Sequence, residues 1–316
     1  MSESMLLMNT SQENDSKIRY VIVSPVRDEA QYLDTTIQCV VNQTVQPIQY
    51  ILVDDGSTDD TLKIIERWSA KYPWIVAVHR PDTAAAKPQA KQQNQRGLRA
   101  RAAKEILAFY DGFHRHAVAD WRFLVKLDGD VGLEPDYFER CFQEFERDDR
   151  LGIGGGEICH MQNGISVVEK NPDFHVRGAT KIYRNTCWKD IGGVSSGIAW
   201  DTLDELKANM LGWKTRTFPG LHVLHYRYTG TANGAWQEAV KKGEWNYFSG
   251  YHPLFMACKV LRNAVKKPWL QGAAGLCYGY LRAFFLRTPQ VNDKNLIRYI
   301  QRQQLRRLCY MPTIWR

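Results

Sequence analysis

Residues 49–60 read QYILVDDGSTDD, and residues 121–130 read WRFLVKLDGD. Each is a short apolar run that stops at a cluster of carboxylates. Runs this short, rich in β-branched and aromatic residues, predict buried strands. Working outward, residues 18–25 (IRYVIVSP) and 74–79 (WIVAVH) carry the same signature. Between these runs, residues 30–43 place Leu33, Ile37, Val40 and Val41 at helical spacing. Residues 61–72 predict a second helix, with Asp59 positioned to cap it. Strands and helices that alternate through short connections pair in parallel, so the fold class is α/β.

The rest of the chain extends this pattern. Residues 82–119 read as mostly helical, with a basic stretch over 87–104. A helix is expected over 135–145 and a strand over 151–160 (LGIGGGEICH), where glycines permit close backbone approach. That glycine run lacks the spacing of a dinucleotide-binding turn or a phosphate-binding loop. A strand and a short helix follow within 176–190, then a helix over 200–211 and a short strand over 214–218. Beyond about 230 strands cease, and three helical segments are expected, interrupted near Pro253, Pro268 and Pro289.

Composition excludes several classes. With 316 residues, 44% hydrophobic and 24% charged, the chain can bury a sizeable core and is neither disordered nor collagenous. No run is long and uncharged enough for a polytopic membrane protein. Residues 1–17 are polar, expected to be disordered, and lack the basic and apolar regions of a secretory signal. The seven cysteines form no C-x-x-C pair, which suits reduced thiols better than a disulfide frame or zinc site. The net charge of +8 is unevenly spread: residues 241–316 hold 14 Lys and Arg against 2 Asp and Glu. Such a tail is either a solvated basic face or a surface for an anionic partner.

In an open α/β sheet, ligands bind at the carboxyl ends of the strands. Both acidic clusters, Asp54-Asp55 and Asp128-Gly129-Asp130, fall at such ends. Hard cations such as Mg²⁺ and Mn²⁺ take oxygen ligands and share them with substrate phosphates, so two acidic strand ends on one sheet suggest a metal–diphosphate site. Asp residues also fill turns after strands for purely local reasons, and either cluster alone would be ambiguous.

Together the motifs resemble the family 2 inverting glycosyltransferases. A strand ending in Pro25-Val26-Arg27-Asp28-Glu29 is followed by V-D-D-G-S-T-D and then D-G-D, with Asp28 where the family usually has Asn. The resemblance covers residues 18–230 and implies a GT-A fold, a Rossmann-like, mostly parallel sheet flanked by helices. It also implies a nucleotide-diphosphate sugar donor and a divalent cation, Mn²⁺ or Mg²⁺. On that likeness Asp130, with Asp128, would hold the cation, and Pro25, Arg27, Glu29, Asp54, Asp55 and Asp128 would line the nucleotide-sugar pocket. The family's Glu-Asp pair on a downstream helix aligns with Trp200-Asp201, so Asp201 is the expected catalytic base and Asp204 the alternative. His225 is a further candidate metal ligand or a core histidine, and Arg227 a candidate diphosphate contact.

The expected organisation is therefore an N-terminus over 1–17, a catalytic domain over 18–230 and a helical, basic extension over 231–316. Within the extension, residues 269–286 (WLQGAAGLCYGYLRAFFL) carry one charge and read as an interfacial or re-entrant element, a buried packing helix or, least of all, a span. With the basic tail this suits an anionic membrane surface, at the cytoplasmic face of the cell membrane. The acceptor would be a saccharide or a lipid-linked glycan in surface polysaccharide synthesis. Two competing expectations are a polyprenyl-phosphate sugar synthase and a non-catalytic module that binds nucleotide sugar or anionic lipid. No nucleic-acid partner is expected.

Overall fold

The computed structural model describes residues 18–80, 96–162, 164–195, 200–227, 234–265 and 270–315, with 96–103 as helical backbone only. The expectations for residues 1–17, and for residues 87–95 of the basic stretch 87–104, lie outside these residues. Strands β1 (Tyr20–Val26), β2 (Gln49–Asp54), β3 (Ile75–His79) and β4 (Phe123–Leu127) pair in parallel in the order β3-β2-β1-β4. Alternate residues of β1 enter different cores. Tyr20 and Ile22 join one apolar cluster, and Val21 and Val23 another, so helices cover both faces.

Helix α1 (Leu33–Val41), α2 (Thr61–Lys71) and α3 (Arg96–His116) supply the crossovers. Residue 60, not Asp59, is the N-cap of α2, and its side chain makes no capping bond. The Asp59 carboxylate instead accepts from the Thr61 and Ala30 amides, tying the start of α2 to the end of β1.

Beyond β4 the sheet becomes mixed. It continues through β8 (Thr180–Arg184), β6 (Leu151–Gln162), β9 (Lys214–His225) and β5 (Val131–Leu133), with β7 (Ile165–Val168) on β6. β4 and β8 are antiparallel, which sets Lys126 opposite Lys181. The glycine run 152–156 lies buried within β6. β9 is much longer than expected. Pro219-Gly220 reads as a stop, but it forms a bulge against β6, after which the strand resumes and pairs His225 with Val131. Helices α4 (Tyr137–Glu146), α5 (Asn185–Ile191) and α6 (Trp200–Met210) complete this part.

Among the described residues four helices follow rather than three: α7 (Gly234–Phe248), α8 (Pro253–Ala264), α9 (Leu270–Phe285) and α10 (Lys294–Leu308). They are docked on the sheet domain. Leu296 and Ile300 of α10 share an apolar cluster with Leu203 and Leu206 of α6, closed by Phe174 and Trp315. α7 and α9 meet backbone to backbone. A Cβ on Gly279 would lie 2.0 Å from the Val240 carbonyl oxygen, so only glycine fits this crossing. The other face of α9 is bare: Leu270, Tyr278, Leu281 and Phe285 are exposed. The described part of the 269–286 segment, α9, is thus a packing helix on one face and an exposed apolar stripe on the other. No described helix is long and apolar enough to cross a membrane.

Candidate active site

The site forms where β1, β2 and β4 end. Asp28 adopts a positive φ of 54°, a conformation that Asp and Asn tolerate better than most residues. Its carboxylate accepts from the Thr58 amide at 2.7 Å, and its own amide donates to the Ser57 hydroxyl at 3.0 Å. The first strand end is thereby fastened to the turn after the second.

The acidic pair at that turn divides its work. Asp54 is fully buried, with one oxygen accepting from the Ser57 amide and the other 2.9 Å from His79 Nδ1. It braces the turn. Asp55 keeps some exposure and pairs with Arg80, which also reaches Asp111 at 3.3 Å. Arg27 donates to the Asp55 carbonyl at 3.2 Å. Pro25 sits opposite Val53 one residue upstream. Arg80 had no motif to announce it, because it follows β3 in an otherwise unremarked segment.

The D-G-D turn is held from α1. The Thr36 hydroxyl lies 2.9 Å from the carbonyls of Gly129 and Val131 and accepts from the Val131 amide at 3.1 Å. A Cβ on Gly129 would come within 2.7 Å of Val26, so the residue between the two aspartates must be glycine for the turn to lie against β1. Beyond it, β9 delivers His225. Its Nε2 is 3.2 Å from an Asp130 oxygen, and ligand atoms of Asp128, Asp130 and His225 all lie within 4.8 Å of one another. Two carboxylates and one imidazole at that separation suit a divalent cation. Desolvation opposes a charge on His225, yet Asp130 and Asp128 outweigh it and raise its pKa. A cation at this point would compete with a proton for the imidazole.

Glu29 and Arg227 close the rim as an ion pair, and Arg227 also stands 3.7 Å from Asp130. Burial first, and then the neighbouring Asp130, push the Glu29 carboxyl up to about 7, with Arg227 opposing. His222, the other histidine of this strand, is exposed beside Glu157 and lies away from the cluster.

The far wall is a charged layer that the motifs did not announce. Lys126 is buried between Asp128 and Glu105, the latter at 2.5 Å. Lys181, opposite it, is buried between Asp204 at 3.2 Å and Glu205 at 2.8 Å. Both ammonium groups stand over the Trp200 ring, at 5.2 and 5.5 Å from its centroid. Their carboxylate partners outweigh desolvation and hold both pKa values above the usual lysine value.

This layer separates the two candidate bases. Asp204 is enclosed, accepting from Lys181 and from the Tyr183 hydroxyl at 2.6 Å, and burial raises its pKa to about 6. Asp201, one turn earlier on α6, is half-buried. Lys181 binds its main-chain carbonyl, and among the described residues no group pairs with its carboxylate. Asp204 is committed to the interior; Asp201 is open.

Residues 21–92 match the model of the family described as Glycosyl transferase family 2. A chondroitin synthase from Escherichia coli is 28% identical over 127 residues, covering 40% of this chain and 15% of that protein. A cholesterol galactosyltransferase from Borreliella burgdorferi is 44% identical over 48 residues, 15% of this chain and 13% of that one. The chain thus matches only a small part of the length of either relative. Among solved structures, a mannosyltransferase from Pyrobaculum calidifontis in complex with GDP-Man and Mn²⁺ aligns with a TM-score of 0.51. It is 14% identical, over 94% of this chain and 76% of that one, a likeness of fold. Residues 21–92 thus carry the sequence of Glycosyl transferase family 2, and the fold around them is of the GT-A type.

Proposed function

We propose that the chain transfers a sugar from a nucleotide-diphosphate donor to an acceptor hydroxyl, with inversion at the anomeric carbon. The observation that carries this reading is the convergence of Asp128, Asp130 and His225 at the carboxyl ends of the strands. A divalent cation held there would neutralise charge gathering on the departing diphosphate. Asp55 and Arg27 would receive the nucleotide, Asp54 would brace their turn, and Arg227 would swing from Glu29 to a diphosphate oxygen. Asp201 would take the acceptor's proton as the hydroxyl attacks from the opposite face.

The proposed organisation keeps a catalytic unit over 18–230 and a helical unit over 231–316. The exposed stripe of α9, with Leu254, Leu261 and Val265 exposed on α8, supports attachment to a membrane surface, cytoplasmic in our reading. The acceptor would then be a saccharide or lipid-linked glycan. The two relatives act on different acceptors by name, so the family alone leaves that choice to the pocket.

The test is Asp201→Asn. Loss of a general base costs about 10²–10⁴-fold in turnover. We expect that loss in transfer with donor binding retained. Undiminished transfer would instead favour a lipid phosphate acceptor, which is already ionised and needs no base. The product of an α-linked donor should be β-linked by proton NMR, and an α product would remove Asp201 from its role.

A further inference from the structure

The helical unit contains a second polar centre, in which cations are not matched by carboxylates. Lys259 of α8 is partly buried, its ammonium 3.3 Å from Asn246 Oδ1 of α7 and 5.2 Å from the centroid of the Tyr251 ring. Lys242 of α7 and Arg307 of α10 are near enough to repel it, and Arg262 of α8 repels Arg307 in turn. Among the described residues no carboxylate pairs with any of these four cations.

The buried amides point the same way. Asn246 is 9% exposed and Gln304, one turn before Arg307, is fully buried, yet Asn246 Nδ2 and Gln304 Nε2 have no hydrogen-bond partner. Buried polar donors are seldom left unmade, and buried charges are seldom left unpaired. Lys126 and Lys181 obey that rule with two carboxylates each; Lys259 does not.

We propose that the junction of α7, α8 and α10 binds a phosphate group, with Lys259 and Asn246 as its inner donors and Lys242, Arg262 and Arg307 as the cations around them. Guanidinium forks, a point-charge ammonium and amide donors around one centre suit a tetrahedral anion with several oxygens. The exposure of Lys242 and Arg262 gives it an entrance from solvent. Burial, followed by Lys242 and Arg307, lowers the pKa of Lys259 to about 8, so at neutral pH it keeps its charge and its need for an anion. The phosphate can arrive free or as the headgroup of a lipid, since the apolar stripes of α8 and α9 belong to the same helical unit. This site is separate from the donor site and does not depend on the catalytic reading.

The test follows thermal unfolding of the full chain at fixed ionic strength, in chloride and in inorganic phosphate. It is repeated with phosphatidylcholine vesicles that contain or lack phosphatidylglycerol. A ligand near ten times its dissociation constant should raise Tm by about 2–5 °C. We expect that rise in wild type and in Asp130→Asn, whose cation site is disabled. Lys259→Met removes a cation without leaving an unpaired carboxylate, so it should fold, be at least as stable as wild type in chloride and lose the rise. Arg307→Gln, nearer the solvent, gives the same readout should the first variant not fold. A rise with inorganic phosphate assigns a site for free phosphate, and a rise only with phosphatidylglycerol assigns a lipid headgroup. No rise with either, or a rise that survives both variants, would overturn the proposal.

Discussion

Two parts of the molecule treat a lysine drawn in from solvent in opposite ways. In the sheet domain, Lys126 and Lys181 face each other across β4 and β8, each between two carboxylates and both over Trp200. In the helical unit, Lys259 has an amide oxygen, an aromatic face and two cations for neighbours. The first arrangement is complete in itself and makes a rigid wall. It also fixes two groups of the proposed site, because Lys126 holds the Asp128 carboxylate and Lys181 the main chain at Asp201. The second arrangement is incomplete by a charge, which is the mark of a ligand site rather than of a scaffold.

That contrast breaks most sharply at Lys181. Replacing it with Met leaves Asp204 and Glu205 buried without their cation, and removing one partner from such a cluster costs about 3–5 kcal/mol. Urea unfolding should show that loss. A change under 1 kcal/mol would mean that the carboxylates protonate at little cost and that the wall is not held by charge.

A smaller effect is expected where the two parts differ in packing. The sheet domain is filled by large side chains, whereas α7 and α9 touch through glycine. Gly279→Val forces methyl groups against the Val240 carbonyl and should cost about 1–3 kcal/mol or more by overpacking. The loss should appear in hydrogen exchange of α7 and α9 before that of β1 and β2. Uniform loss across both parts would show that they unfold as one unit, as the shared cluster of Leu203, Leu206, Leu296 and Ile300 would then require.

The smallest effect belongs to Lys259. Its folded pKa, about 8, lies below the usual 10.5, so the unfolded chain binds more protons between those values. Stability should therefore rise with pH over that window. Lys259→Met should lack this increment. Its advantage over wild type, on the order of 1 kcal/mol at neutral pH, should shrink as pH rises. Parallel curves for the two proteins would mean that Lys259 keeps an ordinary pKa.

The same contrast marks the limit of what could be read from sequence. The acidic strand ends at Asp54-Asp55 and Asp128-Asp130 were legible because local chemistry and strand periodicity place them. His225 was legible only as an alternative, since Pro219-Gly220 hid the continuity of β9 that brings it to Asp130. Lys126, Lys181 and Glu105 were silent. Their meeting depends on the register of an antiparallel pair and on how α3 lies over it, and neither leaves a local pattern. Asp201 and Asp204 share a side of α6, so spacing alone could not divide them; Lys181 does. The donor cluster of the helical unit comes from three separate helices and shows in sequence only as excess positive charge.

The central claim is a cation-dependent nucleotide site at Asp128, Asp130 and His225. The most direct test is thermal unfolding with UDP or GDP, with and without Mn²⁺, in wild type and in Asp130→Asn. Nucleotide and metal together should raise the Tm of wild type well above the sum of their separate effects, and Asp130→Asn should lose that excess. Equal stabilisation by nucleotide without metal, or an excess that persists in Asp130→Asn, would contradict the claim.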